Sequence, residues 1–241
     1  MFIALPVVVV LLTAAPPAAP VDAAAYLKRY DDVMAPASYE AQVHMTAWRE
    51  DGTSRTYKMR VQKAGTDKVR LTFQEPRSAV GQEMLRQGDN LWVYMPNLKR
   101  AVRLASRDSF MGGDFNNADV LRPHYEADYA GTIVDEKDGL VQLSLKARSA
   151  DAAWDVVKLW MTAGDVTKAQ PTRAEFYASS GKMLRSVQFV GVKDTGGVVR
   201  PSTITVKNEL VPARHSEFAW DSLTLKTEIS PQRFVLDDLG R

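Results

Sequence analysis

The chain has no cysteine, and that single absence removes several functions at once. Disulfide frameworks, zinc–thiolate sites, iron–sulfur clusters, cysteine nucleophiles and a lipid anchor on an N-terminal cysteine are all excluded. Histidine is scarce: His44, His124 and His215 stand far apart among 241 residues, and none lies at metal-ligand spacing to another. His44 falls on the polar face of its strand and reads as a surface residue. Charge of one sign is missing too. The 31 basic and 29 acidic residues leave a net charge of +2. That balance gives no reason to expect a nucleic-acid partner, although a slightly basic chain can touch an anionic membrane surface transiently. The nucleophile elbow GxSxG, the dinucleotide loop GxGxxG and the phosphate loop GxxxxGK[ST] do not occur. Beyond the N-terminus there is no apolar run long enough to cross a bilayer, which needs about 20 residues.

What is present begins with an unbroken apolar run, Phe2 to Leu12, followed by small residues and prolines. The run is too short to span and fits the core of an export signal, although no Lys or Arg precedes it. The expected organisation is a signal over residues 1–22, cleaved somewhere between 18 and 25. One domain over 23–241 follows, outside the cytoplasm. Residues 23–34, AAAYLKRYDDVM, read as a helix. Tyr26, Leu27, Tyr30 and Val33 or Met34 form one apolar face, with Asp22 as N-cap and Pro36 just past the end. That face serves equally a plain packing helix or a helix laid on a concave sheet.

From Ser38 the period changes to two. Ala41, Val43, Met45 and Ala47 alternate with polar neighbours, as do Tyr57, Met59 and Val61, then Val69, Leu71 and Phe73. The result is an antiparallel meander, charged outside and covered inside. The stretch from Leu71 to Val120 organises the rest. In Leu91 to Met95 both faces are apolar, with Leu91, Val93 and Met95 against Trp92 and Tyr94, so this strand should be covered on both sides. Arg100 and Arg103 lie on the returning strand. A Gly-rich loop then leads to a short helix around Ala118 to Leu121, to be capped by Asp114, Asn116 or Asn117. The C-terminal half repeats the β period, with YEADYAGTIV as its first strand candidate, for at least ten strands in all.

Asp108, Asp114 and Asp119 along the Gly-rich loop do not have the spacing of a calcium loop and read as capping or loop-ordering residues. Nine methionines, most in or beside strands, are soft apolar material suited to a varied apolar ligand or to filling an irregular core. Trp92, Trp154, Trp160 and Trp220 can line a cavity mouth or fill the core between sheet and helix.

Three segments carry a resemblance: LTFQEPRSAVGQEML, LWVYMPNLKRAVRL and SFMGGDFNNADV. They resemble the outer-membrane lipoprotein-sorting family, the LolA-like group of the LolA/LolB superfamily. The matching positions are Trp92, Tyr94, Pro96, Arg100, Arg103, Phe110, Met111, Gly112, Gly113, Asp114 and Phe115. Asn116-Asn117-Ala118-Asp119 departs from the usual aromatic–Glu–Asp run. The resemblance implies a mainly β (α+β) fold, a large curved antiparallel sheet forming an open, unclosed barrel with short helices plugging the concave face. It also implies a periplasmic carrier, without cofactor or metal and not an enzyme, that shuttles the acyl chains of a lipoprotein or lipid towards the outer membrane. An inner-membrane transporter and an outer-membrane acceptor would be its partners, and the carrier itself a monomer. The family's founding members tether the plug with a strand arginine, which the sequence alone does not place here.

The expected cavity and lid draw on Met45, Met59 and Val61, on Leu71, Phe73 and Met84, and on Leu91, Trp92, Val93, Tyr94 and Met95. Phe110, Met111, Phe115, Leu121 and Trp160 complete the set. The first helix and the loop from Ser106 to Val120 are the expected lid. A non-catalytic accessory module of an envelope lipid-export or pump complex ranks second, and a lipid or sugar hydrolase third.

Overall fold

The computed structural model describes residues 22–122, 124–149, 152–226 and 228–241. The expected export signal lies outside the described residues, apart from Asp22. Helix α1, Ala23–Met34, begins where the Asp22 carboxylate accepts the N–H of Ala25 at 3.0 Å. Its Tyr26, Leu27, Tyr30, Val33 and Met34 are buried, the face given by the helical spacing.

Thirteen strands follow, all antiparallel to their neighbours. The N-terminal half holds β1 (Tyr39–Trp48), β2 (Ser54–Ala64), β3 (Lys68–Glu75), β4 (Glu83–Gln87), β5 (Asn90–Met95) and β6 (Arg100–Leu104). The C-terminal half holds β7 (Tyr129–Lys137), β8 (Leu140–Ala147), β9 (Val156–Thr162), β10 (Pro171–Tyr177), β11 (Met183–Thr195), β12 (Val198–Asn208) and β13 (His215–Leu225). The spatial order is β6-β5-β4-β3-β2-β1-β13-β12-β11-β10-β9-β8-β7. Two meanders are therefore joined in the middle by the pairing of β1 with β13, where Met45 faces Phe218. Strands β6 and β7 are unpaired edges at opposite ends, so the sheet is not closed into a barrel.

A flat sheet of thirteen strands would be roughly 60 Å wide at about 4.8 Å per strand. Yet Leu71 and Phe73 of β3 share one continuous core with Leu143 of β8 and Leu159 of β9. The sheet must curl to bring them together, and the shared core is its concave face. The chain between β6 and β7 must pass from one free edge to the other, and it does so across that concavity. It carries α2 (Asn117–Leu121) and one helical turn, α3 (Tyr125–Asp128). Sequence alternation extends the first C-terminal strand back to Tyr125; instead these four residues are helical. The reason is remote: the Asp31 carboxylate on α1 accepts the N–H groups of Tyr125 and Glu126 at 2.8 and 2.9 Å. Among the described residues no helix is long and apolar enough to cross a membrane.

Among the described residues, cover on the convex face lies over β3–β6. The C-terminal segment, with 3-10 turns at Pro231–Phe234 and Leu236–Asp238, lays Phe234 and Leu239 on Leu85, beside Trp92 and Tyr94. A methyl group on Gly240 would fall about 2.3 Å from the Tyr94 ring, so the tail needs glycine there. Strand β5 is thus apolar on both sides because both sides are covered.

Candidate ligand groove under the helical plug

The plug is seated by residues that match the sheet closely. The Asn116 side chain accepts the N–H of Asp119, and Asp119 accepts the N–H of Asn116, a reciprocal cap on α2. Asp114 is fixed by Ser216 Oγ at 2.8 Å and Asn208 Nδ2 at 2.9 Å. Asp114 and Asp119 therefore order the loop. Gly113 lies close against the sheet: a methyl group there would meet Ser216 Oγ at 3.2 Å and Met45 Cε at 3.4 Å. Phe110 stacks with Phe73, and Phe115 meets Phe218 edge-on.

Four basic side chains stand in phase with the apolar residues of the concave face and hold the plug. Lys63 of β2 donates to the carbonyls of Ala35 and Pro36, at 3.2 and 2.8 Å, just past the end of α1. Arg86 of β4 reaches the Leu121 carbonyl at the end of α2, at 3.5 Å. Arg185 of β11 grips Asp119 with two bonds, 2.6 and 2.7 Å, and reaches the Asp114 carbonyl at 3.0 Å. Its guanidinium also lies 4.0 Å from both the Trp154 and Phe176 rings. Arg200 of β12 donates to the Met34 carbonyl at 3.3 Å. Cations at helix C-termini meet carbonyls that have no partner within the helix. Arg185 ties the start of α2 to β11, as Arg86 ties its end to β4.

Burial tunes the titratable groups here. It pushes the Asp31 carboxyl up to about 7, against the two backbone N–H groups that favour its charged form. It pulls the Lys63 ammonium down to about 8, with Arg86 adding repulsion. The hydroxyls of Tyr30, Tyr125 and Tyr129 are all raised by burial.

Beneath the plug lie two adjoining cavities, of about 50 and 40 Å³. Tyr30, Phe115, Asp119 and Ile204 line both. The first extends towards Trp154, Phe176 and Arg185, the second towards Met34, Phe218 and Trp220. Ligand pockets for drug-sized molecules are roughly 300–1,000 Å³. The groove as it stands is mostly filled by its own side chains.

Of the sixteen residues expected to form the cavity and lid, eleven are buried in the concave core: Met45, Met59, Val61, Leu71, Phe73, Met84, Leu91, Val93, Phe110, Phe115 and Leu121. Met95 and Met111 pack against it half-buried. Val61 and Phe115 touch the cavities themselves. Trp92 and Tyr94 do not belong to the concave face; they point outward under the C-terminal tail. Trp160 is also on the convex side, with the Arg173 guanidinium 4.9 Å from its ring, because Leu159 and Met161 take the inward positions of β9. Sequence reading missed Tyr30, Ile204, Arg185 and Arg200. The last two carried a readable signal: Arg185 is in phase with Val187 and Phe189, and Arg200 with Ile204 and Val206.

A family model described as "uncharacterized protein" matches residues 65–241, more than half of the chain. The chain belongs to that family, and its fold is LolA-like. A LolA superfamily protein of Nitrosomonas europaea superposes with a TM-score of 0.80 at 24% identity, covering 90% of this chain and 99% of its own. A putative outer membrane lipoprotein-sorting protein domain from Vibrio parahaemolyticus gives 0.75 at 20%, covering 90% and 95%. A DUF1329 family protein from Desulfovibrio piger gives 0.78 at 18%, covering 90% and 97%. No curated protein matches the sequence. The fold is shared over nearly the whole length of these three structures.

Proposed function

We propose that this LolA-like protein is a periplasmic carrier without catalytic activity, exported by a cleaved signal as one domain. It takes up acyl chains of a lipoprotein or lipid under its plug and delivers them towards the outer membrane. The observation that carries this reading is the pair of adjoining cavities beneath a plug whose helix ends are tied to the sheet by polar contacts. Such contacts give way more readily than a packed core, because water replaces them as they open. An acyl chain gains about 0.8 kcal/mol for each buried CH₂, so a chain of ordinary length can displace the plug and occupy its place. Handover to an acceptor then needs a competing site of similar affinity, and the returning plug assists it. An inner-membrane donor and an outer-membrane acceptor are the partners this requires.

The test is mass spectrometry of lipids that co-purify with the protein from its native envelope, together with titration of a fluorescent acyl probe. Stoichiometric lipid, displaced by the probe, is expected. Protein free of lipid that also ignores the probe rejects the carrier. One observation favours a second reading: the groove is filled by its own side chains. That outcome would leave an accessory module of an envelope complex, in which the plugged sheet serves as a rigid platform.

A further inference from the structure

Arg200 lies fully buried on β12, with 0% of its surface exposed. Its guanidinium lies 4.0 Å from the Trp220 ring. A ring face meets the plane of a guanidinium and leaves the N–H groups at its edge unsatisfied. Of those, Nη2 reaches the Met34 carbonyl at 3.3 Å and Nε the Pro201 carbonyl at 3.4 Å, both longer than ordinary N–H···O bonds. Nη1 has no partner. Among the described residues no carboxylate acts on this charge; its polar neighbours are the hydroxyls of Tyr39 and Tyr30. Orphan nitrogens also occur on Arg70 and Arg185, but carboxylates at 2.5–2.7 Å neutralise those two side chains. Burial without an anion pulls the Arg200 guanidinium down to about 10.

A buried, unneutralised cation is costly, and proteins normally place a counter-charge beside it. The place beside Arg200 is informative. Met34 and Trp220, which Arg200 touches, line the smaller of the two cavities under the plug together with Tyr39, and Arg200 stands behind that wall. The rest of that cavity's wall is apolar at Val61, Phe115, Val120, Ile204 and Phe218 and polar at Tyr30 and Asp119, whose carboxylate is already paired with Arg185. An apolar space backed by a cation that lacks its anion fits a molecule with both parts.

We infer that Arg200 is the recognition site for an oxyanion at one end of an acyl chain, a carboxylate or phosphate group that seats on its guanidinium while the chain fills the joined cavities. The inference rests on the carrier reading and narrows its cargo to anionic amphiphiles. Movement of the α1 C-terminus would release Arg200 from the Met34 carbonyl and free a second nitrogen, so that the anion meets two donors. A carboxylate or phosphate uses such a fork well, because its oxygens match the spacing of guanidinium nitrogens.

The experiment is calorimetric titration of the full mature protein with dodecanoate, dodecyl phosphate, dodecan-1-ol and inorganic phosphate. Dodecanoate and dodecyl phosphate should bind at least about ten-fold more tightly than dodecan-1-ol, the effect of a charge-assisted hydrogen bond in a dry site. Inorganic phosphate, which has no chain, should bind far more weakly than dodecyl phosphate. Arg200→Gln should bring the two anions level with the alcohol. Equal binding of acid and alcohol by the wild-type protein would overturn the inference without touching the carrier reading, and it needs no variant. So would an Arg200→Gln protein that keeps the preference, or inorganic phosphate binding as tightly as dodecyl phosphate. Failure of all three chain compounds to bind would remove the carrier reading itself.

Discussion

Two arginines are fully buried, one on each face of the sheet, and they are treated differently. Arg70, on the convex face, meets Glu83 and Asp238 at 2.5 Å each and the carbonyls of Arg233 and Asp238 at 3.0 Å. Arg200, on the concave face, meets two distant carbonyls and, among the described residues, no carboxylate. The convex site is complete within the chain: the C-terminal tail folds back and supplies the missing acid, and Gln87 adds a bond to the Phe234 carbonyl. The concave site is incomplete within the chain. A structural charge finds its partner during folding, whereas a charge kept for a ligand waits for one.

The largest expected effect separates the two directly. Arg70→Met leaves Glu83 buried without its cation and should cost about 3–5 kcal/mol in urea unfolding, whereas Arg200→Met removes an unpaired charge and should change stability by less than about 1 kcal/mol. Equal losses would erase the distinction between the faces. Phe234→Ala tests the tail by packing alone. It should cost about 3–5 kcal/mol and expose Trp92, seen as a red-shifted fluorescence.

A smaller effect sharpens the concave side. The Asp31 carboxyl is raised from 3.8 to about 7, so the folded protein holds that proton more tightly than the unfolded chain. The stabilisation is complete below about pH 4 and is lost as pH rises through 7. Its full size is on the order of 4 kcal/mol. Burial depresses His124, which acts in the opposite sense as pH falls, so the readout is the difference between wild type and Asp31→Asn. That difference should vary between pH 4 and pH 8; a constant difference would show that Asp31 does not strain the joint between α1 and α3. The smallest expected effect is Asn116→Ala. It removes one half of the α2 cap, should cost about 1 kcal/mol, and should speed amide exchange in α2 while sparing the convex tail.

The alternation of apolar and polar residues made most of the strands legible, and the helical spacing of Tyr26, Leu27, Tyr30 and Val33 made α1 legible. The two apolar faces of Leu91–Met95 correctly demanded cover on both sides. What provides the outer cover was hidden, because Phe234 and Leu239 sit in a tail with no period to read. Trp92 and Tyr94 lie under that tail rather than in the groove. Trp160 also faces outward, as the alternation of Leu159 and Met161 around it requires. The turn at Tyr125–Asp128 was not readable locally, since Asp31 caps it from α1. Arg185 and Arg200 were readable in principle. A charge in phase with a buried face is a question the strand poses, and only the fold shows that one has an answer in Asp119 and the other has none.

The seam between β1 and β13 bears on when the protein can fold. Val43 pairs with Trp220, so among the described residues the middle of the sheet joins the first strand to the last. Until the final strand is available, the two meanders have no common core, and their long-range pairing is slow to form. Such an arrangement delays assembly of a common core until almost the whole chain is available.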